Sequence, residues 1–286
     1  MHDLVIVGSV FFEVFIPPIE WPEMGTEMIV DRIHVGLGGA LNGASVARGL
    51  GLDVALVSPR GDGLTDRAIA SEITRMGIRA INWSALDDGA ITLVRSTSED
   101  RSFVTAVDRT SLSGCPELPP SRFVHVGGLP EAEGFAGRLA EARARGARIS
   151  VSAGHDPPRL AALAEYRGPP PWDVFFCNDD EARALGATRP ADLVGRLAES
   201  VIITRGPDGV DASFDGASFT LPAVRVDVVD PTGAGDALAA GVLAGLVREL
   251  SPERALDLGL RTAARALSTR GGVLPTSALA DLRVGA

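Results

Sequence analysis

Two carboxylates bracket a loop of small residues at Asp230-Pro-Thr-Gly-Ala-Gly-Asp236. Gly233 and Gly235 let the backbone turn tightly and bring bare N–H groups close to a ligand. The alanine-rich helical pattern that follows, Ala237–Leu250, starts with unpaired N–H groups and the positive end of a helix dipole, which together make an anion site. An anion site with a carboxylate beside it suits phosphoryl transfer, where positioning and charge stabilisation do most of the catalysis. Asp230 and Asp236 both flank that loop, and either could supply the acid/base group. The β-branched run Val224–Val229 ahead of the loop predicts a strand that stops before Pro231. A plain strand-to-helix turn, with Asp236 as a charge favouring the dipole, accounts for the same residues.

The rest of the chain predicts the frame that holds this loop. Leu4–Val7 reads as a buried strand, and Phe12–Ile16 and Met28–Val35 read as strands joined by a loop holding Pro and Gly. Asn42–Leu50 and Leu64–Met76 have helical patterns, with Val54–Ser58 a strand between them. Ala90–Arg95 and Arg101–Val107 are short strands split by the polar turn Ser96–Asp100. From there Phe123–Val126, Arg148–Val151, Asp173–Cys177 and Val201–Thr204 read as strands, each followed by turn residues and a helical pattern. Alternation of this kind implies an α/β fold: a Rossmann-like, mostly parallel central sheet with helices on both faces. The early extended pairs break the rhythm. They predict a small β-sheet lid, built from about 11–35 and 90–107 within one domain spanning 1–286, which would exclude water from a site beneath it.

Composition removes several chemistries. A chain of 286 residues with 45% hydrophobic content has room for a sizeable core. A net charge of −10 leaves no basic excess for a nucleic-acid backbone. No lysine occurs, so all 27 basic residues are arginine. That excludes a Walker A loop, the strand lysine of protein kinases, and Schiff-base chemistry. Cys115 and Cys177 stand far apart and read as reduced thiols, and four scattered histidines suggest no zinc site. Asp3 and Glu13 interrupt what would otherwise be a targeting or membrane-spanning start, so the expectation is a cytoplasmic protein with no membrane partner.

The seven residues 230–236, in this setting, resemble the C-terminal signature of the ribokinase-like (phosphofructokinase-B type) sugar and nucleoside kinases. The resemblance implies that Asp236 is the catalytic base and that Gly233, Ala234 and Gly235 cradle the transferring phosphate. Gly38-Gly39-Ala40-Leu41-Asn42 resembles the family's N-terminal glycine signature, with Asn42 one residue nearer the pair than usual. Gly38, Gly39 and Asn42 are therefore substrate candidates; a glycine loop with Asn42 as helix N-cap is the structural alternative. Glu13 stands where the family carries an Asp that grips sugar hydroxyls. Phe11 and Phe12 offer a stacking face or pack in the core or lid.

Asn178-Asp179-Asp180-Glu181 resembles the family's Asn-x-x-Glu motif, which implies a magnesium-linked role for Glu181 and a nucleotide role for Asn178. The same residues make a capping box, and both roles are compatible. Thr204, Gly206 and Gly209 match a segment that lies along the ATP phosphates in the family. Asp230 is placed near the metal or a monovalent cation such as K⁺, which Thr269-Arg270-Gly271-Gly272 would help to enclose. Arg95 and Arg101 on the lid are either phosphate ligands or surface charges, and Arg261 reads as a solvated arginine.

The expected activity is transfer of the γ-phosphate of ATP, with Mg²⁺, to a hydroxymethyl group of a sugar or related alcohol. A nucleoside kinase and a non-catalytic sugar or nucleotide sensor on the same fold are the alternatives, and the lid leaves room for a homodimer.

Overall fold

The structure is a computed structural model describing residues 1–84, 89–96, 101–108 and 114–283; the side chains of Ser84, Ser96 and Arg101 lie outside the description. Among the described residues there are thirteen strands. They are β1 (His2–Val7), β2 (Val10–Ile16), β3 (His34–Gly39), β4 (Val54–Arg60), β5 (Arg79–Ser84), β6 (Ile91–Ser96) and β7 (Arg101–Ala106). The second half adds β8 (Ser121–Val126), β9 (Arg148–Ser152), β10 (Trp172–Asn178), β11 (Ala198–Thr204), β12 (Val210–Phe214) and β13 (Ala217–Leu221). The α-helices are α1 (Ala40–Gly49), α2 (Leu64–Arg75), α3 (Leu129–Gly134), α4 (Ala136–Ala144), α5 (Pro157–Ala164), α6 (Asp179–Ala184), α7 (Ala234–Val247) and α8 (Pro252–Leu267).

Nine strands form the large sheet in the order β13-β12-β11-β10-β9-β8-β1-β4-β5. All neighbours from β11 to β5 are parallel, and β12 and β13 close one edge antiparallel. Alternation along β1 shows why both faces need cover. Leu4 and Ile6 point into one core with α1, α7 and α8, whereas Val5 and Val7 point into a second core with α3, α4 and α6. Parallel strands buried on both sides are expected to read as continuous apolar runs, and Leu4–Val7 does. Cys115 and Cys177 are free thiols buried in the second core, where burial pushes both pKa values up, that of Cys115 to about 11.

The chain begins in the middle of this sheet. From β1 it builds outward through β4 and β5 on one side, then returns to lay down β8 through β11 on the other. The boundary between β1 and β8 is thus the point where strand order reverses, and the crevice beyond the strand ends there is where open α/β sheets bind ligands.

The remaining four strands form a second sheet in the order β3-β2-β6-β7. It differs from the expected lid in extent. The strand expected over Met28–Val35 begins only at His34 and continues to Gly39, so Gly38 and Gly39 end a strand and do not lie in an open loop. Residues 17–33 carry no regular strand. The expected turn Ser96–Asp100 falls mainly outside the described residues.

Two further expectations are corrected. Val201–Thr204 is followed by a single 3-10 turn and the β12–β13 hairpin, not by a helix. Val224–Val229 forms no strand: the segment has no ladder partner, and Val229 donates from its N–H to the Leu267 carbonyl at 2.8 Å. Its apolar side chains line a cavity, which calls for the same residue types as a strand.

Candidate functional site

The helix α7 begins at Gly233, whose φ of 75° is left-handed and turns the chain into the helix axis. The first boundary-crossing helical bond runs from Ala237 N–H to the Gly233 carbonyl at 2.8 Å. The N–H groups of Gly235 and Asp236 are left without a backbone acceptor, as expected for the first turn of a helix. Asp230 pins the approach to this turn. Its Oδ1 accepts from Thr232 N–H at 2.8 Å and its Oδ2 from Gly271 N–H at 3.0 Å, which ties the 230–236 loop to the segment after α8.

Two cavities meet at this turn. The first, of 520 Å³, is lined by Val7 and Gly8 at the end of β1, by His125 and Gly127 at the end of β8, and by Asp236. It therefore occupies the switch-point crevice. The small sheet closes over it, contributing Phe11, Glu13, Gly39, Thr92, Phe103 and Thr105. The second cavity, of 630 Å³, is mostly apolar; Val224, Val226, Leu260 and Leu267 form much of its wall, and the 204–209 turn supplies Thr204, Gly206 and Gly209. The loop residues divide between them: Thr232, Gly233 and Asp236 face the first, and Pro231, Ala234 and Gly235 face the second. A group bound in one cavity thus meets a group bound in the other across the N-terminal turn of α7.

Asp236 is held by one partner across 194 residues of sequence. Asn42 Nδ2 donates to its Oδ2 at 2.9 Å. Burial raises the pKa of Asp236 above the usual carboxylate value, and the bond from Asn42 works against the rise. Asn42 is not the N-cap of α1; Gly39 is, and Asn42 lies within the helix, where its side chain is free to reach Asp236. Its Oδ1 is buried without a hydrogen-bond partner. The shorter spacing to the glycine pair therefore still brings Asn42 to the N-terminal turn of α7.

Glu13 is buried and reaches the first cavity from β2. A Cβ added to Gly38 would fall 2.1 Å from Glu13 Oε1, so the carboxylate lies over the bare Cα of that glycine. Gly38→Ala should push the Glu13 carboxylate aside without unfolding the sheet, because the obstacle is the end of a flexible side chain. We expect an acceptor KM raised about 10–100-fold, the worth of one or two hydrogen bonds to a charged group, with a small change in Tm. An unchanged KM would remove Glu13 from the acceptor contacts.

The other expected residues separate into those that line a cavity and those that do not. Phe11 lines the first cavity, and Phe12 packs against the main core. Asn178 and Glu181 form the capping box in full: Asn178 Oδ1 accepts from Glu181 N–H, and Glu181 Oε2 accepts from Asn178 N–H, both at 2.8 Å. Neither residue is among those that line these two cavities. Burial raises the pKa of Glu181, opposed by the Asn178 N–H and by the charge of nearby His155. Among the described residues no cluster of three His, Cys, Asp or Glu could hold a metal by itself, so Glu181 and Asp230 do not converge on a ready-made site. Arg95 is exposed, and Arg261 is half exposed, 3.9 Å from Asp257. Arg270 meets His34 at 3.0 Å.

Sequence reading missed four features. His125, Glu131 and His155 line the first cavity; His125 lies near the end of β8, Glu131 in α3 just beyond it, and His155 just after β9. The apolar wall at Val224–Val229 was visible only as a strand.

Residues 1–279 match the pfkB family of carbohydrate kinases. The chain belongs to that family. A relative of matching length is the ATP-dependent ribose-1-phosphate kinase of Halopiger xanaduensis, 27% identical over 90% of this chain and 89% of the relative. The 2-dehydro-3-deoxygluconokinase of Escherichia coli is 28% identical, over 58% of this chain and 60% of its own length. The cytidine kinase of Thermococcus kodakarensis is 36% identical, over 35% of this chain and 38% of its own. The match thus spans 60% and 38% of these last two relatives, less than two thirds of either. The fold agrees with the nucleoside kinase of Methanocaldococcus jannaschii at a TM-score of 0.82 and 20% identity, covering 99% of this chain and 98% of that one. It agrees with the Arabidopsis thaliana ribokinase complexed with ribose and ATP at a TM-score of 0.78 and 16% identity, covering 99% of both. No helix among the described residues is long and apolar enough to cross a membrane.

Proposed function

We propose that this pfkB family member transfers the γ-phosphate of ATP to a hydroxymethyl group of a sugar or related small alcohol. The observation that carries the reading is the N-terminal turn of α7, which presents Asp236 to the first cavity and Gly235, whose N–H has no backbone acceptor among the described residues, to the second. The first cavity takes the acceptor and the second takes the nucleotide. The apolar wall of the second suits an adenine, and the turn bearing Thr204, Gly206 and Gly209 lies on the same cavity for the phosphates.

Asp236 accepts the proton of the acceptor hydroxyl as its oxygen bonds to the γ-phosphorus and the bond from that phosphorus to ADP breaks, and Asn42 keeps the carboxylate aimed while that happens. The amides of Gly233 and Gly235, with that of Ala234 shared with the Pro231 carbonyl at 3.3 Å, stabilise charge on the phosphoryl oxygens. Glu13 and Asn42 orient the acceptor, and the small sheet keeps water out. Mg²⁺ would neutralise phosphate charge when bound. Such a site needs only one or two protein carboxylates beside phosphates and water; Glu181 would act through water. Asp230 shapes the loop through its two N–H bonds, and any K⁺ would sit beside this junction with Thr269–Gly272.

A nucleoside acceptor is the second reading, favoured by Phe11 and Phe103, which both line the first cavity and give a base two aromatic faces. The Burkholderia thailandensis nucleoside kinase described in complex with inosine shares this fold at a TM-score of 0.78. ADP release from ATP and Mg²⁺ over a panel of pentoses, hexoses and nucleosides separates the two readings. Turnover confined to nucleosides would replace the first with the second; a ligand that stabilises the fold without turnover would favour a sensor.

We also propose a homodimer through the small sheet. Val35, Leu93 and Val104 lie in one cross-strand row and are 62%, 38% and 70% exposed. Val104→Glu should convert a dimer to a monomer in sedimentation, and a wild-type chain that sediments as a monomer at all concentrations would refute it.

A further inference from the structure

Arg205 stands between Thr204 and Gly206, which line the second cavity, yet it is not among the residues of that wall. Its side chain meets two carboxylates and a carbonyl instead. Nη1 pairs with Asp179 Oδ1, Nε donates to Asp211 Oδ2 at 3.0 Å, and Nη2 donates to the Thr188 carbonyl at 2.6 Å. Asp211 is held in turn by Thr220 Oγ1 on β13, which donates to its Oδ1 at 2.7 Å. Asp179 Oδ2 also lies 3.4 Å from Arg183, one helical turn along α6.

The 204–209 turn does not need these ties for its shape. Gly206-Pro207-Asp208-Gly209 is made of turn-forming residues, and the backbone closes on itself. Arg205 N–H donates to the Gly209 carbonyl at 2.8 Å, and Asp208 N–H donates to the Arg205 carbonyl at 3.1 Å. What the Arg205 side chain adds is position. The ladder between β10 and β11 ends at the pair Asn178 and Thr204, and the next residue of each, Asp179 and Arg205, extends it as an ion pair. That pair ties the turn to the first residue of α6, the helix whose start Asn178 and Glu181 cap. The turn also abuts the chain after β13, where a Cβ on Gly209 would fall 2.0 Å from the Leu221 carbonyl oxygen.

We propose that Arg205 is a positioning residue for the phosphate donor, its ion pair with Asp179 setting where the 204–209 turn stands relative to the start of α6. The inference rests on the reading that the second cavity holds the nucleotide. Thr204, Gly206 and Gly209 serve phosphates only from a fixed place, because a displacement of about 1 Å at a reacting group can cost on the order of 100-fold. The two carboxylates of the cluster then differ in weight. Asp211 lies within the β11–β12 ladder, opposite Ile203, so backbone already holds that end. Asp179 lies beyond the last ladder pair of β10 and β11, and there the side chains carry the tie.

The test is ATP binding by calorimetry on the full chain, with Mg²⁺ and without acceptor, beside melting curves and steady-state kinetics on whichever acceptor turns over. Arg205→Met and Asp179→Asn should each weaken ATP binding about 10–100-fold, and the double variant should lose little more than either, because all three break one tie. KM for the acceptor should stay within about twofold of wild type. Arg205→Lys keeps the charge and loses the fork, so it should recover part of the affinity lost in the Met variant. Asp179→Asn and Arg205→Lys decide the matter if Arg205→Met does not fold. Asp211→Asn should lower Tm while ATP binding stays within about threefold, the worth of a partly exposed pair. If Arg205→Met and Asp179→Asn lower Tm but bind ATP as wild type does, the cluster only holds the fold and the proposal falls. It falls also if KM for ATP and for the acceptor rise together, or if the single losses add in the double variant. A wild-type chain that binds no nucleotide sinks the reading of the second cavity and the inference with it; wild-type binding with unchanged variants sinks the inference alone.

Discussion

Asp236→Asn should lower kcat by about 10²–10⁴-fold, the usual worth of a positioned general base, while ATP binding stays within about threefold of wild type. The substitution is nearly isosteric, and the new Oδ1 can still accept from Asn42 Nδ2, so the turn should keep its shape. Stability should not fall. A carboxylate whose pKa is raised by burial binds its proton more tightly in the folded chain than in the unfolded one. Its ionisation therefore costs stability as pH rises from the unfolded pKa through the folded one, and the cost persists at neutral pH. Asparagine removes that cost, so Tm at pH 7 should hold or rise. The same shift sets the wild-type acid limb. Activity needs the ionised base, so kcat should fall with decreasing pH at a higher value than an ordinary aspartate would give. The decisive measurement is kcat against pH for both proteins beside their melting curves. A variant that keeps more than a tenth of wild-type kcat would show that proton transfer does not limit the reaction. An acid limb unchanged in the residual activity of the variant would assign that limb to another group.

The sequence made the 230–236 turn legible because its structural requirements are local. A left-handed Gly233, a helix start and a carboxylate in the first turn all fall within seven residues. The central parallel strands were legible for a similar reason: buried on both faces, they read as short apolar runs, as Leu4–Val7 does. Contacts formed at long range were harder to read. The tie from Asn42 to Asp236 spans 194 residues, and a helix N-cap was an equally good local account of that asparagine. His125 looked like any polar residue near a strand end, because the contacts that hold its ring come from Ser150 on β9 and Phe176 on β10. Val224–Val229 misled for a physical reason. A cavity wall and a buried strand both call for β-branched apolar residues, and only the absence of a ladder partner separates them.

The two glycines of the turn should fail in different ways, and the difference tests whether the turn binds phosphate at all. At Gly233 a Cβ would lie 2.7 Å from the Cα of Gly272 and 3.3 Å from Asn42 Nδ2, at a φ of 75°. The first obstacle is backbone and cannot swing away. Holding an alanine in the left-handed region costs roughly 1–2 kcal/mol before any clash is relieved. Gly233→Ala should therefore lower Tm and also loosen the Asn42–Asp236 pair. At Gly235 an added Cβ meets nothing within 4 Å, and the backbone is not left-handed. Gly235→Ala should fold as well as wild type, or better, since alanine favours a helix over glycine by roughly 0.5–1 kcal/mol. Yet Gly235 lines the second cavity, and its methyl would stand where a phosphate approaches the amide. A displacement of about 1 Å at a reacting group can cost on the order of 100-fold, and that loss in kcat/KM for ATP is expected. Melting curves and steady-state kinetics on the pair decide the matter. If Gly235→Ala is both stable and fully active, the open space above that residue does not hold the transferring phosphate, and the anion site must be sought at Gly233 and Thr232 on the other side of the turn.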